Sequence, residues 1–124
     1  MLKKTITYTD YNGHQRTEDF YFNLNKAELV ELELSASGGL TVMMDRIIAA
    51  EDNPTLFKIF KDLVLKAYGI KSDDGRKFIK NQKVRDDFAQ TEAYSVLVME
   101  LVSDAEKAAE FFNLIIPQDS DNAK

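Results

Sequence analysis

Two alternating segments on either side of Asn12-Gly13 constrain this chain most. In the first, Ile6 and Tyr8 point to one side while Thr5, Thr7 and Thr9 point to the other. The second, residues 16–22, places Phe20 and Phe22 on a shared face. Asn-Gly between them is a strong turn signal, because both residues tolerate positive φ. The pair reads as an N-terminal β-hairpin. A lone hairpin is marginal in water, so its aromatic face needs a cover.

The rest of the chain reads as helices that could supply that cover. Asn25 and Glu28 have the spacing of a capping box, which predicts a helix from Lys26 to about Leu34 with Leu29, Leu32 and Val30 in its stripe. Residues 35–39 break it. A second helix is expected over 40–50, carrying Leu40, Met43, Met44, Ile47 and Ile48 on one side. Asn53-Pro54 starts a third, which runs to about Tyr68 on Leu56, Phe57, Phe60, Leu63, Val64 and Ala67. Gly69 is expected to stop it. Asp73-Asp74-Gly75 reads as a turn between two short extended pieces, a minor hairpin or a loop. A short helix follows over 84–89. Thr91 begins another, with Tyr94, Leu97, Val98 and Leu101. Ser103 and Glu106 suggest a further capping box, for a last helix carrying Ala108, Phe111, Phe112 and Ile115 and ending before Pro117. The fold class expected is α+β: an N-terminal β-hairpin packed on a mostly α-helical domain of about five or six helices. One domain would span 1–117, with 118–124 a disordered polar tail.

The chain has 124 residues, enough to bury a core without disulfides or metal. It has no cysteine, which removes thiolate catalysis and cysteine–zinc sites. Its net charge of −5 works against nonspecific nucleic-acid binding. Lys3 and Lys4 near the start are followed by no apolar run, so no signal peptide is read there. No stretch reaches the roughly 20 apolar residues of a membrane span.

Side chains with chemistry are few. The single histidine, His14, sits beside the hairpin turn without a visible partner. Adjacent acids at Glu51-Asp52, Asp73-Asp74 and Asp86-Asp87 do not converge on one point, so they read as solvated surface. The acids near Gly75 lack the alternating ligands of a calcium loop, with Val84 where its last glutamate belongs. Ser37-Gly38-Gly39 lacks the lysine of a phosphate loop. Arg76, Lys77 and Lys80 around Phe78 form a small basic patch, nearly neutralised by the acids before it. No catalytic, metal or cofactor site is expected.

The apolar residues suggest a different kind of site. A helix stripe roughly 100° wide cannot hide every neighbour in a small core, so some of Met43/Met44, Leu56/Phe57 and Phe111/Phe112 are expected to be exposed. Methionine and aromatic surface suits the recognition of apolar helices. With Phe60, these residues form the expected partner-binding set.

The order of several pieces resembles the tail assembly chaperones of long-tailed phages. They are residues 22–29 after the hairpin, Tyr68-Gly69, Asp74-Gly75-Arg76-Lys77-Phe78-Ile79, Phe88, Thr91-Glu92-Ala93-Tyr94, Leu97 to Glu100, and the ending from Ala105 to Asn113 with Ile116-Pro117. The resemblance covers most of the chain and is stronger after Asn53. It implies a non-enzymatic phage or prophage protein of the bacterial cytoplasm that binds the tape measure protein, keeps it soluble during tail assembly, and is absent from the mature virion. It also implies a longer frameshifted product as a partner, with the tail tube protein and further copies of the chain as others. The alternatives are a structural tail completion or connector protein, an acidic DNA mimic and a small enzyme.

Overall fold

The structure is a computed structural model, and it describes residues 1–35 and 53–116. The helix expected over 40–50 lies outside them, as do Glu51-Asp52, most of the break at 35–39 and the tail after Ile116.

The hairpin is present. Strand β1 (Leu2–Thr9) pairs antiparallel with β2 (Gln15–Phe22), from Leu2 opposite Phe22 to Thr9 opposite Gln15. Gly13 takes a φ of 83°, its N–H donates to the Asp10 carbonyl at 3.0 Å, and the Asp10 N–H donates to the His14 carbonyl at 2.8 Å. This is a three-residue loop closed by a left-handed glycine. The Asp10 carboxylate finishes it, accepting from the Asn12 and His14 N–H groups and from Arg16 Nε.

Five helices follow among the described residues: α1 (Lys26–Ser35), α2 (Asn53–Ala67), α3 (Gln82–Ala89), α4 (Glu92–Ser103) and α5 (Ala105–Ile115). The architecture is α+β, as expected. The capping box of α1 is reciprocal: Asn25 N–H donates to Glu28 Oε1 at 2.9 Å and Glu28 N–H to Asn25 Oδ1 at 2.8 Å. Asn81 and Thr91 cap α3 and α4. The cap of α5 is Asp104, one residue later than the spacing suggests. Its carboxylate accepts from Glu106 and Lys107 N–H, while the Ser103 hydroxyl turns back to the Glu100 carbonyl.

The region between Gly69 and Lys80 is a second hairpin, and it joins the first. Strand β3 (Tyr68–Lys71) begins directly after α2, and β4 (Phe78–Ile79) returns beside it. Tyr21 pairs with Gly69 and Phe22 with Tyr68, giving a four-stranded antiparallel sheet in the order β1-β2-β3-β4. Gly69 therefore does not cap a helix. It is needed where the Phe78 ring crosses the sheet, since a Cβ there would lie 2.7 Å from Phe78 Cε2. Gly75, at φ 74°, sits in the turn.

One face of the sheet meets the helices through stacked and edge-on rings. Phe88 of α3 stacks on Tyr68 with centroids 4.2 Å apart and also meets Phe20, Phe22 and Tyr94. Phe22 touches Phe111 at 5.4 Å. Ile6, Leu24, Val64, Leu97, Leu101, Phe112 and Ile115 join the same buried cluster. Leu24 N–H donates to the Ile115 carbonyl and Asn23 N–H to the Ala67 carbonyl, so both helix C-termini are tied to the end of β2.

Candidate interaction surface

Helix α4 packs on β1, α2, α3 and α5. It buries Ala93, Leu97, Val98 and Leu101 against them. Its sequence is apolar on the opposite side too. Val96, Met99 and Val102 are exposed there, Met99 at 57%, and Ser95 and Ser103 complete the face. Glu92 heads this face in the first turn, and no charged side chain interrupts it from there to Ser103, in a chain with 30% charged residues. The absence of any charge between Glu92 and Glu100 is the sequence signal for this face, and reading only the buried stripe overlooks it.

The sequence-predicted set is scattered by the fold. Phe60, Phe111 and Phe112 are core residues, at most 6% exposed. Adjacent Phe111 and Phe112 are both buried because α5 packs against both β1 and α4, so its covered arc is wide. Phe57 is exposed, with the Lys61 ammonium 5.2 Å from its ring centroid. Met43 and Met44 lie outside the described residues, as does the side chain of Leu56.

A cleft of about 410 Å³ opens beside α4, between the start of β1 and α5. Leu2, Leu101 and Leu114 line it, and a Lys4–Glu100 ion pair of 2.6 Å crosses it. Both partners are about a third exposed, so the pair adds little stability.

The basic patch resolves into two different things. Arg76 and Lys77 lie exposed on the turn, where the Asp74 carboxylate accepts from the Arg76 N–H and the Ser72 hydroxyl, which hold it below the usual carboxylate range. Lys80 turns inward. Its ammonium donates to both Glu28 oxygens at 2.8 Å and to the Asn23 carbonyl at 2.6 Å. Burial outweighs Glu28 and lowers its pKa. Burial also raises Tyr68 and Tyr94, with Asp87 and Asp62 adding to the effect. His14, Asp73, Asp74, Asp86 and Asp87 are exposed. Among the described residues no three His, Cys, Asp or Glu side chains converge as a metal site, and no helix is long and apolar enough to cross a membrane.

The family model for phage tail assembly chaperones matches residues 1–124. The chain belongs to that family. No curated protein and no solved structure matches it. In this tail assembly chaperone, Val96, Met99 and Val102 form the exposed apolar strip of α4.

Proposed function

We propose that this chaperone is non-enzymatic, binds the tape measure protein and keeps it soluble while the tail tube polymerises. The observation that carries this reading is the outer face of α4, uncharged beyond Glu92. A tape measure chain is long and helical, and its apolar stripes would aggregate if left bare. Val96, Met99 and Val102 offer an adaptable apolar strip to such a stripe. The chain's net charge of −5 would add solubility to the complex. Many copies along one client would bind by avidity, each weakly.

Phe57 belongs to the proposed client surface, and Met43, Met44 and Leu56 stay within the proposal. Residues 1–117 act as one unit with 118–124 as a polar appendage. The reading places the protein in the bacterial cytoplasm and outside the mature virion. A longer frameshifted form, the tail tube protein and further copies of the chain are its other partners.

Co-expression with the tape measure protein tests it. Wild type should hold the client in the soluble fraction and co-purify with it, whereas Met99→Lys should do neither while remaining folded. Loss of no client from a folded Met99→Lys protein would remove α4 from the site. Detection of the chain as a stoichiometric component of purified virions would favour a tail completion or connector role.

A further inference from the structure

We propose that the outer edge of β1 is a self-association edge: two copies join antiparallel along β1, with the two-fold axis at Thr5, into a closed dimer with one continuous sheet. The inference rests on the sheet alone and does not require the client reading above.

Among the described residues, β1 ends the sheet, with β2 on one flank. The Asp10 N–H bond to the His14 carbonyl sets which residues face β2. In an antiparallel ladder every second residue exchanges bonds with its opposite. Tyr8, Ile6, Lys4 and Leu2 continue that series inward. Lys3, Thr5, Thr7 and Thr9 therefore direct their N–H and C=O groups outward. Among the described residues, no backbone bond outside the hairpin reaches β1. The strand runs eight residues without bulge or proline, and its edge charges, Lys3 and Lys4, are confined to one end, leaving the stretch from Thr5 to Thr9 uncharged.

The charges select the partner and its direction. Both lysines lie at one end and threonines at the other. Parallel, in-register addition would set Lys3 against the partner's Lys3, which like-charge repulsion disfavours. Antiparallel pairing about Thr5 sets Lys3 against the partner's Thr7, Lys4 against the partner's Ile6 and Leu2 against the partner's Tyr8. No lysine opposes a lysine, and Lys3, Thr5 and Thr7 of each copy exchange about six backbone hydrogen bonds. The opposite edge of the sheet, β4, is two residues long and too short to template a strand. Edge-to-edge growth therefore stops at two copies, because an isologous contact closes on itself.

Sedimentation of the full chain over a wide concentration range, combined with amide hydrogen exchange, tests this. A monomer–dimer equilibrium is expected, with the Thr5 and Thr7 amides exchanging more slowly as concentration rises. Thr7→Pro removes an outward donor while sparing the backbone bonds to β2, losing only the exposed Thr7–Thr17 hydroxyl bond, and should give a folded monomer. Should that variant misfold, Thr7→Lys sets a cation opposite the partner's Lys3 and should weaken the dimer about tenfold or more, an effect that high salt reduces. A wild type monomeric at every concentration, concentration-independent exchange at Thr5 and Thr7, or undiminished dimerisation of a folded Thr7→Pro or Thr7→Lys protein would each overturn the proposal.

Discussion

Lys80 holds Glu28 by both carboxylate oxygens, 2.8 Å each, across 52 residues of chain. Glu28 also completes the α1 capping box, and Lys80 also satisfies the Asn23 carbonyl. One carboxylate thus links the end of β2, the start of α1 and the exit from β4. The Lys80 side chain is 10% exposed, so its charge depends on that partner. Glu28→Ala removes a cap acceptor and strands a part-buried cation; it should destabilise by about 2–4 kcal/mol. Glu28→Gln keeps the cap and should cost about half as much. Urea denaturation of the two variants checks the ranking, and equal losses would refute the dual role.

Gly69→Ala should destabilise by about 1–3 kcal/mol, since the added methyl meets the Phe78 ring at 2.7 Å. Shortening Phe78 to Leu should relieve most of that penalty. A double-mutant cycle by thermal melting measures it; additive losses would show that Phe78 is not the obstacle.

Phe88 is the ring that joins α3 to the sheet and to Tyr94 of α4. Phe88→Ala should cost about 3–5 kcal/mol. Loss of the near-ultraviolet tyrosine signal along with stability would locate the damage at Tyr68 and Tyr94.

Phe111→Asp and Met99→Lys should behave oppositely. The first buries a carboxylate beside Phe22 and should unfold the protein. The second alters an exposed position and should change stability by no more than about 0.5 kcal/mol. Circular dichroism separates them, and a folded Phe111→Asp protein would return that residue to the surface.

Asp10 is held below its usual carboxylate range first by Arg16 and then by the His14 N–H. A depressed folded pKa gives stability that is present above the unfolded value and lost as pH falls through the folded one. Wild type should therefore lose stability below the ordinary value of 3.8, and Asp10→Asn should flatten that slope. Melting temperature against pH is the measurement. Parallel wild-type and Asp10→Asn profiles would remove Asp10 from the acid transition.

Local signals in this chain were readable because they depend on near neighbours. Asn12-Gly13, the Asn25–Glu28 box and the stripe through Leu97, Val98 and Leu101 all act within a few residues. The Asp73-Asp74-Gly75 turn marks the extended pieces of the second hairpin, but the pairing of Phe22 with Tyr68 that joins it to the first was not legible, because nothing near either residue names its partner strand. Gly69 looked like a helix stop, since a glycine after an apolar stripe reads the same whether it ends a helix or makes room for a ring. For the candidate surface, the expectation that one stripe cannot hide every apolar neighbour does not say which neighbours stay outside. Which pair stays outside depends on how many elements wrap each helix, and that is a tertiary property. Phe111 and Phe112 are enclosed, whereas Val96, Met99 and Val102 are left on the far side of the most surrounded helix.

The bond from Leu24 N–H to the Ile115 carbonyl has a consequence for synthesis. Both residues are fully buried, and Ile115 follows Leu24 far along the chain. Translation delivers the hairpin and its Phe20–Phe22 face long before the last helix emerges from the ribosome. Until Ile115 arrives, that aromatic face lacks Phe111 and the Leu24 amide lacks its acceptor. Until Ile115 is made, the hairpin rests on its own ladder and turn, on the Thr5–Asp19, Thr7–Thr17 and Tyr8–Glu18 side-chain bonds, and on the Tyr68 and Phe88 rings that precede Ile115 in the chain.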